Sequence, residues 1–158
     1  MTKLRLLFLV AAATVCAASP STAQNVDGRP RSGWLTMRTG FTPDPQIVRV
    51  SAGGNIPAVR TGAGCAGFVS NEPEVRLVFI TVARLPLILS VASNTDTILV
   101  VRGPDGRWRC DDDGGVTGRN PSLRYDAPHT GEYLIWVGSH RPGRRARARL
   151  HISEVSSQ

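Results

Sequence analysis

The chain has 158 residues, 41% of them hydrophobic, with 19 Lys and Arg against 12 Asp and Glu and a formal charge of +7. That size suits one domain with a core of its own. The charge is basic without being extreme: it allows weak attraction to phosphate, acidic polysaccharide or anionic lipid and selects none of them.

At the N-terminus Lys3 and Arg5 precede an apolar run from Leu6 to Ala18. Ser21-Thr22-Ala23 then meets the small-x-small rule, which predicts a signal peptide over residues 1–23, cut after Ala23. A membrane anchor is the competing reading, but a span takes about 20 apolar residues. A lipoprotein reading of Cys16 is opposed by the bulky Val15 before it. Removing the leader takes two positive charges and no acid. No later segment is long and apolar enough to cross a bilayer, so the protein is expected in the periplasm or outside the cell.

Residues 24–33 are polar with Pro and Gly and read as a loose tail. From there to residue 155, short strand-like runs alternate with Gly, Pro, Asn and Asp, the rhythm of a sandwich or barrel. The runs are Trp34–Thr39, Gln46–Ser51, Cys65–Val69, Glu74–Ala83, Leu87–Ala92, Thr97–Arg102, Arg107–Cys110, Ser122–Asp126, Glu132–Val137 and Ala146–Ser153. No stretch has a capped helical period, so almost no helix is expected. Pro104-Asp105-Gly106 predicts a hairpin turn between the sixth and seventh runs. In Glu74–Ala83, Val75, Leu77 and Phe79 alternate with Arg76, Val78 and Ile80, so both faces look partly covered. In the last run, Ala146, Ala148, Leu150 and Ile152 should face inward, with Arg145, Arg147, Arg149 and His151 outward. Trp34, Trp108, Trp136, Tyr125 and Tyr133 read as core and sheet-packing residues, with a ligand platform as the alternative.

Once the leader is gone, Cys65 and Cys110 remain, an even pair that an oxidising compartment would bond. A zinc site is disfavoured because no CxxC spacing is present.

The stretch from Asp96 to Asp113, through Pro104-Asp105-Gly106 and Asp111-Asp112-Asp113, together with Gly131-Glu132-Tyr133 and the strand to Val137, resembles the bacterial pre-peptidase C-terminal domain. Small secreted proteobacterial proteins, some carrying serine-peptidase labels, are similar in Gly40-Phe41-Thr42-Pro43-Asp44-Pro45, Cys65, Asn120-Pro121 and Ile152-Ser153-Glu154 as well. The resemblance implies an all-β, jelly-roll-like antiparallel sandwich: a non-catalytic secreted module, sometimes calcium-stabilised and often attached to hydrolases.

Two groups of residues are site candidates, and a third feature bears on catalysis. Asp111, Asp112 and Asp113, with Asp96, Asp105 and Asn120 if the hairpin brings them near, offer oxygen ligands for calcium. The competing and plainer reading is a solvated acidic turn, since Asp bonds its own backbone. Arg145, Arg147 and Arg149 could grip an anion through guanidinium forks; the alternative is a charged edge that prevents strand pairing. No aromatic residues interleave this segment, so no nucleic acid is expected. Third, the chain lacks a Gly-x-Ser-x-Gly elbow, and His129, His140 and His151 fall in turns or on an outward face. The expected function is therefore a non-catalytic, monomeric binding or accessory protein whose partner is a protein or an envelope polymer. A small serine peptidase-like hydrolase and an envelope-binding protein for anionic lipid or polysaccharide are the alternatives.

Overall fold

The computed structural model describes residues 24–158; the leader read over residues 1–23 lies outside them. Eleven strands are present among the described residues: β1 Gly33–Arg38, β2 Gln46–Ala52, β3 Ile56–Pro57, β4 Phe68–Val69, β5 Val75–Ile80, β6 Leu87–Ala92, β7 Thr97–Arg102, β8 Trp108–Asp111, β9 Ser122–Tyr125, β10 Gly131–Ser139 and β11 Ala146–Ser153. A 3₁₀ turn, Ala58–Thr61, is the one helical element described. No described helix is long and apolar enough to cross a membrane.

The strands form two sheets. The first runs β1-β5-β10-β7-β8, with the short β3–β4 ladder joined at the end of β10; the second runs β2-β11-β6-β9. Setting aside β1, β3 and β4, the remaining eight strands in chain order pair as 2-7-4-5 in one sheet and 1-8-3-6 in the other. That is the jelly-roll order, two interleaved Greek keys. One pairing departs from the antiparallel expectation: β1 lies parallel to β5, Leu35 beside Leu77 and Met37 beside Phe79. The long connection through β2, β3 and β4 makes this parallel return feasible, as a two-residue hairpin could not.

Alternation fills the space between the sheets. Val75, Leu77, Phe79, Leu99, Val101, Tyr133, Ile135 and Val137 from the first sheet meet Val50, Leu87, Leu89, Val91, Leu150 and Ile152 from the second. The opposite face of the first sheet is also buried. Leu134, Trp136, Ile98 and Val100 pack there under Ala58, Cys65 and Val69. Trp136 meets Trp108 at 5.2 Å between ring centroids. Both residue sets of β10 are therefore core, which is why its sequence shows no polar face.

Two expectations need correction here. The run Cys65–Val69 is strand only at Phe68–Val69; its first residues belong to the loop that the Cys65–Cys110 disulfide fastens to β8. Residues 24–33 are not a loose tail. Asn25 N donates to Asn71 O, Arg31 N to Pro73 O and Ser32 N to Glu74 O, while the Arg76 guanidinium donates to Gly28 O and Val26 O. Pro and Gly in that segment serve an irregular path pinned by two buried charged side chains, a pattern that strand periodicity does not record.

The segment Gly40–Pro45 and the end of β11 also lock together. Ser153 Oγ donates to Asp44 Oδ1 (2.5 Å) and Glu154 N to Asp44 Oδ2 (2.8 Å). Glu154 in turn accepts from Gly40 N at 2.8 and 3.1 Å. Two motifs far apart in sequence thus form one structural clasp.

Candidate functional site

The arginine segment is where the fold builds a cavity. On the outer face of the second sheet, strand register sets side chains in rows. Arg149 of β11 has Arg49 of β2 on one side and Ala92 of β6 on the other. One row towards the start of β11, Arg147 stands beside Ser51. One row the other way, His151 lies between Ile47 and Ser90. A groove of about 640 Å³ opens over the arginine rows, lined by Arg49, Arg147, Arg149, Ala92, Asn94 and Gln158 among others. Arg145, one step before the strand, does not line it.

The third row is roofed. After β11 the chain doubles back: Val155 N and Ser156 N donate to Ser153 Oγ, Gln158 N donates to Ser90 Oγ, and Ser157 Oγ donates to Ser122 Oγ. Gln158 O accepts from Val116 N, joining this segment to the loop between β8 and β9. Gly115 is needed at that junction, because a Cβ there would sit 2.6 Å from Gln158 O and 2.4 Å from Asn120 O. The returning segment forms one end of the groove and covers the row of His151, which is only 6% exposed. The outward placement of His151 is therefore right for its direction and wrong for its exposure, since period two says nothing about chain folding back over a face.

The electrostatics of the groove are unbalanced. Arg49 and Arg149 are register partners on one face, an arrangement of like charges that destabilises a ladder. Among the described residues no acidic side chain forms an ion pair with Arg49, Arg147 or Arg149; the ion pairs of the described chain lie elsewhere. Among the described residues neither ring nitrogen of His151 has a hydrogen-bond partner. Burial, and then the neighbouring Arg149 charge, hold its pKa below 6.5. The native state thus favours neutral imidazole, and stability from this residue is lost as pH falls from 6.5 through the lower folded value. His151→Leu should remove that part of the acid sensitivity: in thermal melts at pH 7 and pH 5, the parent loses more on acidification than the variant. Equal losses would assign the titration to another group.

The acidic candidates are not brought together. The predicted hairpin forms, with Arg102 beside Trp108 and Leu99 beside Asp111. This sends Asp105 to the turn and Asp111 to the opposite end, more than about 10 Å away at 3.4 Å per residue. Asp105 Oδ1 accepts from Arg107 N, and Asp111 Oδ2 accepts from Gly114 N and Ser122 N at 2.7 and 2.8 Å. Asp96 lies 3.2 Å from His140 Nε2. Asn120 is buried, accepting from Thr97 Oγ1 and donating to Ser93 O. Asp112 and Asp113 follow in the turn beyond β8. No metal-holding group of three His, Cys, Asp or Glu side chains occurs among the described residues. As a set, these six residues do not fit one calcium ion.

Among the described residues no hydrogen bond joins a histidine ring to a serine hydroxyl: Ser90 is the neighbour of His151 in the sheet, but its hydroxyl accepts from Gln158 N and neither His151 ring nitrogen is bonded. His140 has Asp96, but the described hydroxyls of Ser32, Ser70, Ser93, Ser139, Ser153 and Ser157 donate to, or pair with, groups other than histidine. A smaller concavity of about 330 Å³ lies at the β8–β9 edge, where the Arg109 guanidinium covers the Tyr125 ring at 4.8 Å and burial drives the Tyr125 phenol well above its usual pKa.

Arg49, Ala92, Asn94 and Gln158 were not legible as site residues. Each is isolated in sequence, and only the β2–β11–β6 register unites them with Arg147 and Arg149.

No family model matches this chain, and no curated protein matches it. Among solved structures, Aeromonas hydrophila PliG, a periplasmic lysozyme inhibitor of g-type lysozyme, is 15% identical with a TM-score of 0.39, the match covering 77% of this chain and 98% of that one.

Proposed function

We propose that this protein is a non-catalytic binding or accessory module working outside the cytoplasm, similar in kind to the pre-peptidase C-terminal domain, and that it holds an anionic partner on the outer face of its second sheet. One observation carries the reading: Arg49, Arg147 and Arg149 line one groove without an acidic partner among the described residues. An anion seated there would relieve the Arg49–Arg149 repulsion and accept charge-assisted hydrogen bonds. The disulfide supports an oxidising compartment.

A hydrogen bond to a charged group contributes about 1.5–3 kcal/mol. The triple variant Arg49→Gln, Arg147→Gln, Arg149→Gln should therefore weaken binding of an anionic polymer at least about a hundredfold. All three side chains are exposed, so the fold should survive. Titration calorimetry at two salt concentrations would check this. Undiminished binding by the triple variant, or no binding of any anionic probe by the parent, rejects the proposal.

A further inference from the structure

Resting on that reading, we infer that the groove takes a short stretch of an acidic polysaccharide, a chain of sugar residues bearing carboxylate or sulfate groups, rather than a lipid surface or an acidic peptide.

The floor and rim of the groove favour this class. Ala92 occupies the β6 position in the row of Arg49 and Arg149. A methyl there leaves the sheet surface low between the guanidiniums and the loop beyond, so a ligand can lie down on it. The three charges are not in line: Arg49 stands across the ladder from Arg149, about 5 Å away at the backbone, and Arg147 stands about 7 Å along the strand. This suits several acidic groups held at intervals on one backbone better than a single small anion.

Asn94 and Gln158 add neutral donors and acceptors at the rim, and the hydrogen bonds made by Gln158 use its main chain. A carboxamide offers two donors and an acceptor, which matches sugar hydroxyls that both donate and accept. A bilayer surface would call for aliphatic side chains around the basic residues. The exposed aliphatics of this region, Ile47, Val116 and Val155, come from three separate elements and none lines the groove. The groove is also recessed, walled at one end by the chain returning through Ser157 and Gln158. A flat surface cannot follow that shape, whereas a narrow polymer can.

Four probes and two variants test the inference. The probes are an oligogalacturonate, polyglutamate of similar charge, inorganic sulfate, and vesicles of anionic phosphatidylglycerol. The oligogalacturonate should bind at least about tenfold more tightly than polyglutamate, a difference of about 1.4 kcal/mol, and sulfate and vesicles should bind more weakly still. Ala92→Leu leaves every charge in place and fills the floor, so it should lower oligogalacturonate affinity at least about tenfold. Asn94→Ala should lower oligogalacturonate affinity and leave sulfate binding unchanged. Circular dichroism melts of both variants confirm that they fold. If polyglutamate or the vesicles bind as tightly as the oligogalacturonate, or Ala92→Leu binds it undiminished, the polysaccharide inference fails and the anion-binding reading stands. If none of the four probes binds, both fail.

Discussion

Replacing both Cys65 and Cys110 with serine is expected to destabilise the protein by about 4 kcal/mol, the chain-entropy value for a loop of this length. The two cysteines are 45 residues apart and their Cα atoms lie 5.9 Å from each other, inside the usual range for a bridge. The bond closes a loop that holds β4, β5, β6 and β7, strands of both sheets. Its removal therefore frees, in the unfolded chain, a large part of the domain. A second consequence is local. Cys65 sits in the loop that covers Trp136, Ile98 and Val100 on the outside of the first sheet, and Cys110 lies on the edge strand β8. Without the bridge, the loop that caps this outer core is held by fewer contacts. The melting temperature should fall by about 10–20 °C on the usual size scaling, and hydrogen exchange should rise first in residues 58–67. A fall under about 3 °C, well below what that scaling requires, would show that packing alone holds the loop.

How far the sequence reveals this architecture depends on which rule each segment obeys. Leu87–Ala92, Thr97–Arg102 and Ala146–Ser153 are bounded by turn residues and match the observed strands end to end. The pair of alternating sets in β5 correctly signals burial on both faces: Val75, Leu77 and Phe79 point to the main core, and Arg76 is buried on the other side beneath the N-terminal segment. Tertiary closure is what the sequence conceals. The parallel seat of β1, the docking of residues 24–32 and the returning cover over His151 are all long-range contacts with no local period to announce them. The site follows the same division. Arg147 and Arg149 are visible as a basic strand face, but Arg49 becomes their neighbour only through a register about 100 residues long in chain separation. The aspartates were legible as turn formers, and there the correct hairpin itself separates Asp105 from Asp111.

Glu74→Ala should cost about 3–5 kcal/mol, the usual loss when one partner of a buried ion pair is removed. Glu74 is fully buried. It accepts from Arg31 Nη1 at 2.7 Å, Ser32 Oγ at 3.1 Å and Ser70 Oγ at 3.3 Å. Its own backbone carries the junction: Glu74 N donates to Ile135 O, and its carbonyl accepts from Ser32 N. One side chain thus ties the N-terminal segment and the turn before β5 to the centre of the first sheet. Burial raises its pKa above 4.5, and Arg31 and the two serines offset only part of that rise. The sign follows: the folded carboxyl binds its proton more tightly than the unfolded one, so its contribution is greatest below pH 4.5 and declines as pH climbs through the folded value. Glu74→Gln should remove that slope while keeping an acceptor for the serines, and should cost less than Glu74→Ala. Replacing the pair together, Arg31→Met with Glu74→Leu, should recover most of the loss, because a buried pair rarely exceeds a well-packed apolar substitute. Urea unfolding of the four proteins at pH 4 and pH 7 separates these effects. A Glu74→Ala loss under about 1 kcal/mol, the scale of an exposed pair, would mean that the N-terminal segment is held by its backbone bonds alone.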